Sequence, residues 1–281
     1  LNNKIIDKKD IEKRTSAPVI GYISHNSLKS EIPVGENPGS TLAESFRSVR
    51  TSLKYFLKDK ECPVISVSST ISSEGKTFVS ANLAAIMAMT EKKVLLMGLD
   101  LRKPRIHRIF GTDNKTGISN FLIGEEKYED VIVKTEVDNL WYASAGPVPP
   151  NPAELIESEA MKDFIEKAKK KFDYIIIDTP PVAIVTDALL VSSFTDFYLF
   201  VVRQWYTSKN TIELIEELRR NESLKSIGIV VNDISMSGYY GYGLRYGYSM
   251  GYGYNYGYNY YSHYGKYGYS EEAKGYYKEN A

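Results

Sequence analysis

A chain of 281 residues, 43% of them apolar, is long enough for one sizeable core plus an appendage. Its 35 basic residues balance 35 acidic ones, which argues against a broad nucleic-acid footprint. The single cysteine, Cys62, excludes an intrachain disulfide framework and fits a reducing compartment.

The opening residues, Leu1 to Arg14, are polar and of mixed charge, so no signal peptide is expected. No later apolar run reaches the roughly 18 residues of a membrane helix. A first residue that is Leu and not Met suggests a piece of something longer, and Asn2 to Ser16 reads as a linker to it. Residues 1–35 form a lead-in with one apolar piece, Pro18 to Ile23.

Residues 36–235 alternate β-like runs with helical patterns, the signature of an α/β domain with a mostly parallel sheet flanked by helices. Strands are expected at Val64–Ser68, Val94–Met97, Tyr174–Asp178, Phe197–Val202 and Ile227–Val231, each apolar on consecutive positions as when both faces are covered. Helices are expected at Thr41–Leu57, Lys76–Met89, Ala160–Lys171, Asp187–Phe194 and Ser208–Arg220. In the first of these Leu42, Phe46, Val49, Leu53 and Phe56 recur at spacings that put them on one buried face. Cys62, ahead of Pro63, reads as a small buried or edge residue with no catalytic part.

The remainder differs in kind. From Ser235 to Ala281 the chain holds 16 of its 23 tyrosines and 10 of its 20 glycines, with almost no aliphatic residues. Such a segment cannot bury enough apolar surface to offset its ordering entropy, so residues 236–281 are expected to be a disordered tail. Its few basic residues, Arg245, Lys266, Lys274 and Lys278, do not make a single-stranded nucleic-acid stacker.

The chemistry is expected where the strand from Val64 runs into Ser69-Thr-Ile-Ser-Ser-Glu-Gly-Lys-Thr77 and then a helix. Gly75-Lys76-Thr77 matches the second half of a P-loop, with Thr70 at the first glycine position. Gly75 lets backbone N–H groups turn onto phosphate oxygens, Lys76 supplies positive charge, and the Thr77 hydroxyl suits Mg²⁺. The expected nucleotide cradle is Ser72, Ser73, Glu74, Gly75, Lys76, Thr77 and Phe78. Asp178 ends a buried strand ahead of Thr179-Pro-Pro181, where the metal-holding acid of a P-loop enzyme belongs; a strand-terminating Asp before a proline turn is the plainer alternative. A second strand ends in Gly98-Leu-Asp100-Leu-Arg102, and its carboxylate could converge on the same metal and on an attacking hydroxyl.

At these residues the chain resembles the bacterial tyrosine kinases of capsule and exopolysaccharide export, the Wzc type, over essentially its whole length. Four features carry the resemblance: the P-loop with Asp178, the Φ-Φ-Φ-D-x-D-x-R strand (here Leu95 to Arg102), E-x-x-R-x-x-R at Glu44, Arg47 and Arg50, and the tyrosine-rich C-terminus. Gly146 to Leu155 and Val185-Thr-Asp-Ala188 are similar too. The resemblance implies ATP and Mg²⁺ as cofactors and Lys76, Asp100, Asp178 and Arg102 as catalytic residues, with Thr77, Asp100 and Asp178 at the metal. It implies Asn232 as an adenine contact, although a strand-end turn explains that residue nearly as well. It implies Glu44, Arg47 and Arg50 as contacts between subunits of a ring, where an ordinary solvated charge stripe has the same spacing. The phosphoacceptors would be Tyr252, Tyr254, Tyr256, Tyr258, Tyr260, Tyr261, Tyr264, Tyr267 and Tyr269, modified in trans. The implied setting is the cytoplasmic face of the bacterial inner membrane, with a transmembrane and periplasmic co-polymerase segment on the same chain or a partner, a reversing tyrosine phosphatase, and no nucleic acid. The chain departs from the family's pattern at one place: Gly98 stands where the first aspartate belongs. A weak or inactive nucleotide-binding regulatory module of the same export complex is therefore the alternative. A septum-site or partitioning ATPase fits less well, because Ile71 occupies the position of its signature lysine.

Overall fold

The computed structural model describes residues 3–183, 187–221, 224 and 226–235. Eight strands form one sheet: β1 (Val19–Ser24), β2 (Val64–Ser69), β3 (Val94–Gly98), β4 (Val133–Lys134), β5 (Leu140–Ala143), β6 (Tyr174–Asp178), β7 (Phe197–Arg203) and β8 (Ile227–Ile234). Their spatial order is β1-β8-β7-β2-β6-β3-β5-β4. Every pairing is parallel except that of β4 with β5. The helices are α1 (Lys8–Glu12), α2 (Pro33–Glu36), α3 (Thr41–Phe56), α4 (Lys76–Ala88), α5 (Ile106–Ile109), α6 (Ile118–Leu122), α7 (Pro152–Ile156), α8 (Glu159–Lys169), α9 (Asp187–Leu190) and α10 (Ile212–Arg220). None is long and apolar enough to cross a membrane.

Strand alternation divides the apolar residues between two faces. Ile65, Val67, Leu96, Ile176, Leu199 and Val201 join α3 and α4 in one core. Val64, Leu95, Met97, Ile175, Ile177, Phe200 and Val202 join α8 and α10 in the other. Both faces of the central strands are thus covered, which is why their sequences read as unbroken apolar runs.

Helix α3 starts where the Ser40 hydroxyl accepts the Ala43 N–H, satisfying one of the free donors of its first turn. Leu42, Phe46, Val49 and Leu53 are buried along it as the spacing predicts. Phe56 departs from the pattern and is 43% exposed. It lies in the last turn of the helix, where its ring is tilted on Phe197 with centroids 5.1 Å apart. Helix α4 is buried almost all round, from Val79 to Ala88, as befits a helix lying between α3 and the sheet. The segment expected as one helix over Ser208–Arg220 begins as a 3₁₀ turn at Lys209–Thr211 before α10. Likewise α9 gives way to a 3₁₀ turn at Val191–Phe194.

The lead-in is not a loose linker. Ile5 and Ile11 are fully buried, and α1 carries a capping box between Asp7 and Asp10. Thr15 Oγ1 and the Ser16 N–H both donate to Glu216 on α10, at 2.8 and 2.9 Å. Pro18 to Ile23 supplies most of β1, an edge strand on β8. Four buried isoleucines among residues 3–23, Ile5, Ile11, Ile20 and Ile23, each contribute about 1.5–3 kcal/mol of burial, enough to hold a polar stretch against the domain.

Candidate active site

The site lies at the carboxyl ends of the central strands, where parallel α/β sheets open their crevice. Strand β2 ends at Ser69, residues 70–75 form a loop, and α4 begins at Lys76. Two backbone features shape the loop. Ser73 takes a left-handed conformation (φ 69°), and Gly75 does so at φ 95°, where a Cβ would lie 2.2 Å from Asn232 Nδ2. Only glycine fits there.

Lys76 is the centre of charge. Its Nζ lies 3.2 Å from Asp100 Oδ2 and 3.2 Å from Asp178 Oδ1. Thr77 Oγ1 donates to the other Asp178 oxygen at 2.8 Å, and the Lys103 N–H holds Asp100 Oδ1 at 3.0 Å. Asp178 is 1% exposed. Burial pushes its carboxyl above the usual carboxylate range, against the pull of Lys76 and Thr77. Burial opposes the Lys76 charge as well, but Asp178 and Asp100 outweigh it and hold the ammonium above its ordinary value. The lysine stays protonated and ready to exchange these carboxylates for phosphate oxygens.

Among the described residues no group of three or more acidic, His or Cys side chains forms a self-contained metal cage. Two carboxylates and a threonine hydroxyl nonetheless fit Mg²⁺, which is bound by one or two carboxylates together with phosphate oxygens and waters. Thr77, Asp178 and Asp100 are the residues that would hold it.

Arg102 is turned away from this cluster. Its Nε and Nη2 donate to Asp187 at the head of α9, at 2.7 and 3.1 Å, a bidentate pair with a buried carboxylate. Gly98 faces Ile106 and the Ala145 N–H, and a Cβ built on it would come within 3.2 and 3.3 Å of them. The space of the family's first aspartate is thus partly taken up by an apolar side chain.

Behind the loop a second set of contacts holds it to the sheet. Glu74 is fully buried and accepts from Thr70 Oγ1 at 3.0 Å, the Ile71 N–H at 2.9 Å, and Thr207 Oγ1. Arg203 Nη1 donates to the Ser73 carbonyl at 3.3 Å, and Tyr206 Oη to that of Ser72 at 3.2 Å. Asn232 Nδ2 donates to the Glu74 carbonyl at 3.0 Å, so its side chain braces the loop. Phe78 packs on Phe46, 6.0 Å between ring centroids. Ser72 and Ser73 are exposed at the loop tip.

The sequence reading did not single out Thr207, Arg203 or Tyr206, and met Asp187 only as part of Val185-Thr-Asp-Ala188. Arg203 ends β7 and Tyr206 and Thr207 lie in the loop after it, some 130 residues away in the chain, and no local pattern marks them. Cys62 is half-buried, its thiol pushed up to about 11 by burial, consistent with an inert role. The expected ring residues make contacts within the chain: Glu44 pairs with Arg47, and Arg50 donates to the Ile86 carbonyl at 2.8 Å. The expected acceptor tyrosines lie outside the described residues.

A buried strand, a glycine-pivoted loop, a lysine at a helix start and an acid on the adjacent strand define a P-loop nucleotide-binding protein. The family model described as an AAA domain matches residues 62–226. The putative tyrosine-protein kinase CapB of Staphylococcus aureus is 34% identical over 77% of this chain and 97% of its own. The tyrosine-protein kinase ptk of Acinetobacter johnsonii is 34% identical over 85% of this chain, and wzc of Salmonella typhi 34% over 82%. This chain spans 34% and 32% of those two longer relatives. Among solved structures, the chimerical protein CapA2B2 aligns with a TM-score of 0.75 at 35% identity, covering 81% of this chain and 99% of its own. The kinase domain of the Escherichia coli tyrosine kinase ETK gives 0.76 at 26%, covering 89% and 99%. The chain belongs to the bacterial tyrosine-protein kinase family, on an AAA-type P-loop domain.

Proposed function

We propose that this chain is a Mg-ATP-dependent protein tyrosine kinase acting on tyrosines of its own C-terminal segment, in trans between copies. The observation that carries the reading is Lys76 held between Asp100 and Asp178 at 3.2 Å from each, with Thr77 on the same carboxylate. Lys76 would shift from the carboxylates to the β- and γ-phosphates, and Thr77, Asp178 and Asp100 would hold Mg²⁺. When bound, the ion neutralises charge on the phosphates. Asp100 would also take the phenolic proton as the tyrosine oxygen bonds to the γ-phosphorus and ADP leaves with the electrons of the broken P–O bond. Ser72, Ser73, Gly75 and the start of α4 would supply backbone N–H groups to the phosphates.

The relatives' names and the tyrosine-rich C-terminus support a role in capsule or exopolysaccharide export. In that setting the domain would sit at the cytoplasmic face of the inner membrane, assembled as a ring through Glu44, Arg47 and Arg50. It would work beside a transmembrane co-polymerase segment, with a tyrosine phosphatase reversing its reaction.

One observation favours a second reading, a nucleotide-binding regulatory module with little catalysis: Ile106 fills space beside Gly98. Incubation with Mg-ATP followed by intact-mass measurement separates the two. Phosphoryl additions that map to residues 252–269 and vanish in Lys76→Met support the kinase. Bound nucleotide with no mass gain, and no phosphate present beforehand, favours the module.

A further inference from the structure

Directly after Asp100 the chain reads Leu-Arg-Lys-Pro-Arg-Ile-His-Arg108. Arg102, Lys103, Arg105 and Arg108 are exposed. Arg102 is spent on Asp187, whereas among the described residues Lys103, Arg105 and Arg108 are in no ion pair. The acids that bear on this stretch do not neutralise it. Asp100, which acts on Arg102, is paired with Lys76 at 3.2 Å, Asp113 with Lys115 at 3.4 Å, and Glu154 acts on Arg102 only from a distance. Unpaired like charges a few residues apart repel one another, and a multiply charged anion relieves that cost.

An ordinary solvated charge run would hang loosely, and this one does not. Its start is tied to the site by the Lys103 N–H on Asp100 at 3.0 Å and by the bidentate Arg102–Asp187 pair. Its middle is pinned by Ile106, which is 2% exposed and would lie 3.2 Å from a Cβ built on Gly98. Its end is held by Phe110, stacked on Tyr142 with centroids 4.4 Å apart. The three free cations therefore sit on a fixed scaffold that begins at the residue proposed to receive the acceptor's proton. A backbone already held in place leaves only side-chain freedom to be lost when these cations engage a ligand.

We propose that Lys103, Arg105 and Arg108 form an anion-binding rim of the active site, which grips a phosphotyrosine already present beside an acceptor tyrosine. The inference rests on the kinase reading for the identity of its anion. A phosphotyrosine carries about −1.5 to −2 charges and three strong acceptor oxygens, and arginine matches them with paired donors. The acceptor sequence Tyr252-Gly-Tyr254-Asn-Tyr256-Gly-Tyr258 spaces tyrosines by two. In an extended peptide such neighbours stand about 7 Å apart on one face, so one ring can enter the site while the next reaches its border. Each phosphorylation would then favour the next on the same segment.

Binding and transfer are measured separately on the full chain. Fluorescently labelled peptides of sequence 250–261, one unmodified and one with phosphate on Tyr254, are titrated with the protein in Mg-ADP and followed by anisotropy. The rim predicts about tenfold tighter binding of the phosphopeptide, the scale of a few charge-assisted contacts at a surface. That preference should vanish in Lys103→Glu/Arg105→Glu/Arg108→Glu, while the affinity for ADP and for the unmodified peptide is retained. Equal binding of the two peptides by the wild type overturns the rim, as does a preference that survives in the triple variant. So does loss of binding to anionic lipid vesicles in that variant with no phosphopeptide preference in the wild type. Transfer from Mg-ATP to the same peptides is then scored: preferential binding without any transfer fails the kinase reading and leaves the rim standing, whereas transfer at equal rates and affinities fails the rim alone.

Discussion

The P-loop is held from two sides that obey different physics. In front, Lys76 and Thr77 face Asp100 and Asp178 through charged contacts of 2.8–3.2 Å, and these are the bonds a phosphate chain and its cation would replace. Behind, Glu74, Ser72 and Ser73 are tied to Thr207, Tyr206 and Arg203, with Asn232 on the Glu74 carbonyl. The front is an electrostatic arrangement whose partners exchange; the back is a fixed network whose loss leaves buried polar groups unsatisfied. Adjacent residues such as Glu74 and Lys76 therefore have opposite jobs. A nucleotide loop must be soft to its ligand and stiff to its own domain.

Breaking the front alone has the largest expected effect. Lys76→Met should lower phosphoryl transfer by at least about 100- to 1,000-fold, the cost of one preorganised charge at a reacting centre. Its melting temperature should stay nearly unchanged. Phosphotyrosine retained in this variant would remove Lys76 from the site.

Asp178→Asn tests the front's internal conflict. Burial raises the Asp178 carboxyl, so the native state takes up its proton more readily than the unfolded chain. The charged form thus costs stability, and that cost grows as pH rises from the unfolded value near 3.8 through the folded one. The variant should lose metal-dependent transfer and yet melt higher at neutral pH, with the gain shrinking at acid pH. Denaturant curves at two pH values would settle the sign; a lower melting point throughout would mean the Lys76 pair outweighs burial.

Breaking the back should show the reverse signature. Glu74→Ala leaves the Ile71 N–H and Thr207 without an acceptor and Thr70 with only Thr211, at 3.3 Å, a loss of about 1–3 kcal/mol for buried polar groups. Stability and nucleotide affinity should fall together, read by thermal melts with and without Mg-ADP. Full stability with weakened nucleotide binding would make Glu74 a front residue. The smallest effect on the loop itself belongs to Glu44→Ala/Arg47→Ala/Arg50→Ala, remote from both sides. There light scattering should show a smaller assembly. Unchanged mass would return these residues to a solvated stripe, with only the Arg50–Ile86 carbonyl bond lost.

Much of the front was legible in the sequence because its signals are local. Gly75-Lys76-Thr77 follows a strand and opens a helix, and Asp178 closes a run of three isoleucines. The back was not legible, since Thr207 and Tyr206 reach the loop only because β7 lies beside β2 in the sheet. Arg102 shows a related shortfall: its place in the motif is plain, but its bidentate attachment to Asp187 depends on where α9 begins. The lead-in misread as a linker had the same cause. Its isoleucines are too sparse to show a period, and their burial comes from distant elements: Ile5 and Ile11 share a core with α10, Ile20 and Ile23 one with α3.

The sequence by itself determined the α/β class, the strand and helix that flank the P-loop, and the identity of its lysine, threonine and strand-end acid. Those properties follow from hydrophobic period and from residue chemistry over a few positions. Only the tertiary structure decided that Lys76 lies between two carboxylates, that Glu74 faces inward, that residues 3–24 belong to the domain, and that Ile106 crowds Gly98. Each depends on which strands are neighbours, and in a parallel sheet neighbours are joined by long crossovers that leave no mark in the local pattern.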